Sequence, residues 1–422
     1  MERSRSEGPL PEIIGAGLSA LMGGDREKSV ITEEAALAQV LKSVCALPRR
    51  RVSLFQALGQ FAAGDVFARF ALPVFDNSSM DGYAVVASSC RKGKSQRVIG
   101  EQPAGADRKL RVAAGEAVRV FTGAPIPAGA DAVVMQEDVR REGTGIFVNT
   151  EVEPGEFVRR RGSDLSEGQK ILESGQRIHA QTLALLASQG LPEIEVGGAV
   201  RAAIVTTGDE LVPPGEPLRA GQIYESNSTL LHALFHKSGV SNVTITHRPD
   251  DAAAIASALR EGLEHDVLVI VGGVSVGDHD LVKPALASVG AQTDLWRVSV
   301  KPGKPFLFGR AGQTAIFGLP GNPVSAFVTF LLFVRPAILR MMGAGEGDLL
   351  LPKEGAQLTE EIENGGDRPH YVRGRLGQGR FTPVGRQESH ALHGLSRSNA
   401  LLRVGPGEAF PRGATVSVLN LD

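Results

Sequence analysis

Apolar and polar positions follow three successive rhythms along this chain. Between residues 32 and 48, Leu37, Val40, Leu41 and Val44 recur at helical spacing. Thr32 suits the N-cap, Glu33 and Glu34 complement the positive end of the helix dipole, and Pro48 closes the stretch. From about 70 to 160 the pattern shortens to strand-like runs at 118–121, 132–135 and 146–149, with Gly and Pro turns between them. That predicts a small β domain. A helical run follows at 181–189 and stops at Gly190.

Near residue 198 strands and helices begin to alternate. Apolar runs at 202–206, 243–246, 267–271 and 315–317 predict strands. Between them lie helical stripes: Leu230, Leu231, Leu234 and Phe235, then Ile255, Leu259 and Leu263, then a helix near 281–289. Pro323 opens a last helix that reaches about Met341. Four alternations predict a doubly wound, mostly parallel α/β domain. After 348, short strands at 371–376, 401–404 and 415–419 predict a second small β domain. Residues 1–29 carry no strong period. Gly15-Ala16-Gly17 before Ala20 brushes against a dinucleotide fingerprint, but no strand precedes it, and the segment reads as a mobile leader.

Composition then removes several classes. The chain has 422 residues, and at about 150 residues per domain it holds roughly three. Lys plus Arg is 45 against 47 Asp plus Glu, a net charge of −2. A protein held on nucleic acid by bulk charge would be basic, so no nucleic-acid partner is expected. Cys45 and Cys90 make neither a disulfide framework nor a CxxC metal site, and they fit a reducing cytoplasm. The longest apolar-looking run, 326–334, includes Thr329 and stops at Arg335. It is well short of the ~20 residues of a membrane helix, so no membrane partner is expected.

Ligands of open parallel sheets bind beyond the carboxyl ends of the strands. Four post-strand loops carry chemistry here: 206–210 (TTGDE), Asp250-Asp251, 272–280 (GGVSVGDHD) and 318–323 (GLPGNP). Gly272, Gly273, Gly277 and Gly321 expose backbone amides, and Pro323 suits a helix N1 position, so two of these loops are built for anions. The carboxylates Glu210, Asp250 and Asp280 would repel a phosphate unless a hard cation lay between. The pattern therefore reads as metal-assisted chemistry on a phosphate or pyrophosphate. Lys301-Pro302-Gly303-Lys304-Pro305 adds two ammonium groups on a stiff segment, suited to an oxyanion or else a solvated turn.

Other motifs carry less. Gly273-Val274-Ser275-Val276-Gly277 matches a nucleophile elbow, with His370, His390 and His393 downstream. Asp278 and Asp280 suit cation binding better than serine activation, and no HGGG-type segment is present. Gly93-Lys94-Ser95 lacks the strand and helix context of a phosphate loop. His279 has no second His at ligand spacing. In the first β region, 75–84 (FDNSSMDGYA), 122–125 (TGAP) and 159–164 (RRRGSD) read either as polar turns or as faces toward an anion.

Taken together, the segments 76–84 (DNSSMDGYA), 122–127 (TGAPIP), 160–164 (RRGSD), 207–211 (TGDEL), 221–227 (GQIYESN), 272–280, 301–305 and 318–326 (GLPGNPVSA) resemble the molybdopterin molybdenumtransferases, the family of bacterial MoeA and the C-terminal domain of gephyrin. They run in family order across roughly residues 30–420. The resemblance implies, after the leader (1–29), an elongated linker subdomain (30–70 and 160–197), a small β domain (71–159), an α/β molybdopterin-binding domain (198–347) and a C-terminal β-barrel (348–422). It also implies a homodimer with a shared active site. The implied reaction inserts molybdate into adenylylated molybdopterin, with Mg2+ assisting, and releases AMP.

Carried over residue by residue, the resemblance assigns catalysis to Glu210, Asp280, Asp81 and Asp164, with Glu210 and Asp280 at the metal. Thr122, Gly208, Asp250, Gly272, Gly273, Ser275, Gly277, Pro320, Gly321, Asn322 and Pro323 fall to substrate binding. Lys301, Lys304, Ser325, Arg373 and Ser389 fall to molybdate, and all five supply donors or positive charge. Ser163 stands where the family usually has Glu, and Glu225 where it usually has Asp. A non-catalytic scaffold of the same fold and a tungstate-loading variant are the alternatives.

Overall fold

A computed structural model describes residues 30–273 and 281–422. They form two compact units. One holds the described residues up to Leu47, Gly198–Met342 and Glu346–Asp422; the other holds Pro48–Gly197 with Gly343–Gly345.

The first unit is built on a seven-stranded sheet in the order Ile31–Thr32, Gln292–Ser299, Pro305–Ala311, Thr314–Leu319, Val267–Val271, Arg201–Thr207, Asn242–Arg248. The last four run parallel to one another. The sequence reading missed the Gln292–Ser299 and Pro305–Ala311 strands, which pair antiparallel and bracket the Lys301–Pro305 segment. The helix Val282–Ser288 therefore leads into an antiparallel hairpin before Thr314–Leu319 and not directly into that strand.

Both faces of the central strands are covered, so Val267–Val271 is buried throughout. On one face Leu268 and Ile270 pack with Ile255, Leu259, Val282 and Leu286 from the flanking helices. Toward the long C-terminal helix, Phe306 packs on Phe333, and Phe330 meets Phe235 edge-on with ring centroids 5.0 Å apart. Each such buried ring contributes about 1.5–3 kcal/mol relative to exposure.

The helix Pro323–Met341 runs 19 residues, longer than the apolar run in the sequence, because Pro323 to Ser325 precede that run and Arg335 and Pro336 continue it. It widens to π geometry over Phe330–Val334, just before Pro336, which has no N–H to return to the preceding turn. By length and composition it matches a membrane span, yet 83% of its apolar window is buried, as befits a core helix.

The C-terminal strands Lys353–Leu358, Arg380–Pro383, His370–Gly377, Ala400–Val404 and Thr415–Asn420 close into a barrel around Phe381. The helix Glu33–Ser43 starts as the sequence predicts, with Thr32 Oγ1 accepting from the Ala35 amide at 3.2 Å. Its buried Glu33 accepts from Tyr371 Oη at 2.9 Å and pairs with Arg403, fixing the helix to the barrel.

In the second unit, a six-stranded sheet runs Ala132–Met135, Gly82–Val85, Glu116–Val120, Ser95–Gln102, Gly145–Val148, Val139–Glu142. The three strand runs read from the sequence in this region all lie in it. Segments from either side of that sheet pair with each other: Arg50–Ser53 with Glu193–Val196, and Val66–Phe67 with Lys170–Leu172. The helix Ala180–Ser188 packs there through buried Leu186.

Candidate active site

Three of the four chemistry-bearing loops meet at the carboxyl edge of the parallel strands, on the wall of a cavity of about 930 Å3 in the first unit. Thr207 ends the Arg201–Thr207 strand and Glu210 follows it, Gly272 and Gly273 follow Val267–Val271, and Pro320 to Pro323 follow Thr314–Leu319. The Lys301–Pro305 segment and the barrel residues Glu388, Ser389 and His390 complete the enclosure.

The glycine positions are required by close approach. Gly272 has φ +92°, and a Cβ there would sit 2.6 Å from the Thr207 carbonyl oxygen. At φ +125°, a Cβ on Gly303 would sit 2.6 Å from Thr329 Cγ2. Pro302 and Gly303 are buried while Lys301 and Lys304 are exposed, so a fixed backbone presents two ammonium heads. The Lys301 amide donates to Pro369 O and the Lys301 carbonyl accepts from the Tyr371 amide, each at 2.8 Å, which stitches the segment to the barrel. Among the described residues neither lysine has a carboxylate within ion-pair distance.

Opposite in charge are the acids. Glu210 stands on the cavity wall with its carboxylate over Gly208, where a Cβ would meet Oε2 at 2.6 Å. Asp250 donates its amide to Asp209 Oδ1 at 3.1 Å. Its carboxyl is pushed above the usual range by the protein crowding it and then by the negative charges of Asp209 and Glu210. Among the described residues no group of three His, Cys, Asp or Glu side chains is arranged to hold a metal.

Glu225, also on the wall, caps the Asn227–Lys237 helix by accepting from the Asn227 and Ser228 amides at 2.8 and 2.9 Å. Two buried wall atoms, Thr207 Oγ1 and Asn227 Oδ1, have no hydrogen-bond partner among the described residues. Asn227 Nδ2 donates to Gly321 O at 2.7 Å, bridging two of the loops. None of Thr207, Glu225, Asn227, Arg368 or Glu388 stood out from the sequence as a site residue. The TGDEL and YESN segments were the available signal for the first three.

Of the sequence-assigned residues, Glu210, Gly272, Gly273, Lys301, Lys304, Pro320, Gly321, Asn322, Pro323, Ser325 and Ser389 share the cavity wall. Gly208 and Asp250 lie beside Glu210. Ser275, Gly277 and Asp280 lie outside the described residues. Asp81, Thr122 and Asp164 belong to the second unit. There the Thr122 amide and hydroxyl donate to Asp81 Oδ1 at 2.8 and 2.9 Å and hold that carboxyl below its usual range.

Arg373, which the resemblance assigns to molybdate, lies in the barrel behind the loop 386–391. It is 1% exposed and is absent from the wall. Its guanidinium donates to the carbonyls of Arg386, Glu388 and Ala391. His370, buried beside the same segment, is pushed down to about 4 by burial and then by the charges of Lys301 and Arg373, so it is neutral at pH 7.

Comparison with known proteins agrees with this layout. The MoeA N-terminal region (domains I and II) matches residues 31–190, a probable molybdopterin-binding domain matches 203–340, and the MoeA C-terminal region (domain IV) matches 355–421. The chain is 36% identical to a molybdopterin molybdenumtransferase of Nostoc sp., covering 88% of each chain. It is also 36% identical to one of Haemophilus influenzae, covering 83% of this chain and 88% of the relative. The crystal structure of the molybdopterin biosynthesis MoeA protein of Pyrococcus horikoshii superposes with a TM-score of 0.80 at 30% identity, over 93% of this chain and 100% of that one. The chain belongs to the molybdopterin molybdenumtransferase family of molybdenum cofactor biosynthesis enzymes.

Proposed function

We propose that this protein inserts molybdate into adenylylated molybdopterin, cleaves the pyrophosphate bond, releases AMP and so forms molybdenum cofactor. The observation carrying this reading is one cavity with two chemistries: Lys301 and Lys304, with no ion pair among the described residues, on one side, glycine loops and Glu210 on another. Lys301, Lys304, Ser325 and Ser389 supply donors suited to a small tetrahedral dianion. The Gly272-Gly273 turn and the Gly321–Pro323 helix start suit phosphates.

The acids fit a hard cation in kind. Glu210 is on the wall, and its charge is felt at Asp250 together with that of Asp209. Mg2+ would be held by Glu210 and Asp280, and when bound would offset the charge of the pyrophosphate. The proposal includes a homodimer in which a second chain supplies Asp81, Thr122 and Asp164. Each chain would divide into linker (30–70 and 160–197), small β (71–159), α/β (198–347) and barrel (348–422) subdomains. A cytoplasmic reaction suits the two free cysteines.

The test is to incubate the purified chain with adenylylated molybdopterin, Mg2+ and molybdate and follow AMP. AMP release that requires all three supports the reading. A folded protein that releases none refutes it.

A further inference from the structure

We propose that His232 and His236 form a chelating site for a zinc-class divalent cation on the outer face of the helix Asn227–Lys237, apart from the cavity. The proposal does not depend on the functional reading above.

Apolar packing holds this helix in place. Leu231, Leu234 and Phe235 are buried on its inner face, and Phe235 meets Phe330 edge-on. His232 and His236 are four residues apart, so their side chains rise from one face in successive turns. His236 is exposed and His232 half-buried, which leaves the pair open to solvent. The two rings converge. Nε2 of one lies 3.2 Å from Nε2 of the other, with ring centroids 4.4 Å apart and planes inclined at 60°. The centroids are little farther apart than the nitrogens, so the rings do not meet end to end.

Two neutral imidazoles can share that contact only if one nitrogen carries a proton and the other accepts it. A cation in place of the shared proton takes a lone pair from each ring. At Zn–N distances of about 2.0–2.1 Å, the 3.2 Å separation subtends about 100–106° at the metal, close to the tetrahedral angle. Imidazole nitrogen suits Zn2+ and its borderline neighbours Ni2+ and Cu2+, whereas Mg2+ prefers oxygen. Two protein ligands leave the remaining positions to water. His236 also stands in the last helical turn, where the free carbonyls form the negative end of the dipole and favour a cation. Lys237, the other basic residue of that turn, donates to Leu421 O.

Neither histidine lines the cavity, but Ser226 and Asn227 at the start of the same helix do. At 1.5 Å per residue, the histidines lie about 8 and 14 Å along the axis from Asn227. A bound cation therefore staples two consecutive turns of a helix whose first turn shapes the cavity wall. Its role is structural, and it is distinct from any hard cation at Glu210.

Calorimetric titration of ZnCl2 into the EDTA-treated, dialysed full chain tests the site. Excess Mg2+ is kept present so that carboxylates suited to a hard cation are occupied. Wild-type protein should bind Zn2+, and His232→Gln and His236→Gln should each weaken that binding by at least about tenfold. Thermal melts of the same samples should rise with Zn2+ in the wild type and stay put in both variants. Melts without Zn2+ should nearly coincide, since both side chains lie on the outer face. Wild-type protein that binds no Zn2+ would overturn the proposal, as would variants that bind it as tightly as the wild type. Weakening in only one variant would overturn the chelate, because the second ring would then take no part.

Discussion

Asn322 Nδ2 donates to Ser389 Oγ at 2.9 Å, joining the first turn of the Pro323–Met341 helix to a loop of the C-terminal barrel. With the Lys301 bonds to Pro369 and Tyr371, this contact makes the barrel a wall of the α/β cavity. The anion side is thus assembled from two chain regions whose bonded partners are 67 positions apart in sequence. Its shape depends on the barrel being seated.

Glu210→Ala tests the cation side. Glu210 is exposed and makes no core contact, so stability should stay within about 0.5 kcal/mol. On the proposed reading AMP release should fall by roughly a hundredfold or more, because a Mg2+ at the pyrophosphate would lose one of its two carboxylates. A variant that releases AMP at the wild-type rate would take Glu210 out of the mechanism. Thermal melts beside the AMP assay decide it.

His370 gives the fold a pH response. Its folded value of about 4 lies below the ordinary one of 6.5. The unfolded chain therefore binds the proton first, and the stability this group contributes is intact above about 6.5 and lost as pH falls toward 4. The loss should be on the order of 3 kcal/mol. In His370→Leu the melting temperature should change less between pH 7 and pH 4.5 than in the wild type. Parallel curves would show that His370 is not the group responsible.

Gly303→Ala should strain the lysine segment. The position has φ +125° and the new methyl would meet Thr329 Cγ2 at 2.6 Å. The expected destabilisation is about 1–3 kcal/mol, with a higher half-saturating molybdate concentration as Lys301 and Lys304 shift. Gly355→Ala, at a glycine with ordinary φ and open space around it, is the control and should be nearly neutral. Equal melting temperatures for the two variants would contradict the packing argument.

Assembly has its own test. If a second chain supplies Asp81, Thr122 and Asp164, sedimentation at micromolar concentration should find a dimer. A monomer with full activity would rule out the shared site.

Local signals were legible in the sequence where one residue type has one physical use. Thr32 caps its helix, the 267–271 run is a strand covered on both faces, and Pro323 opens the long helix. The glycine loops and the lysine pair announced anion chemistry for the same reason. The strands on either side of Lys301–Pro305 were missed because their short apolar runs carry no clear period and the segment between them reads as an ordinary turn. Arg373 shows a different limit. Its charge is visible in the sequence, but the use of its donors depends on carbonyls 13 to 18 residues away that only the folded barrel brings together. Glu225 accepts from two amides and caps its helix, a use that its position in the YESN segment did not announce.

The central claim is that one cavity binds molybdate against lysines and the adenylylated pterin against the glycine loops. A molybdate titration of AMP release, in wild-type protein and in Lys304→Ala at saturating adenylylated molybdopterin, tests it most directly. The account predicts molybdate-dependent AMP release in both, with the half-saturating concentration raised roughly ten- to a hundredfold in the variant, since one charge-assisted contact contributes about 1.5–3 kcal/mol. An identical molybdate dependence in the two proteins, or AMP release indifferent to molybdate, would contradict it.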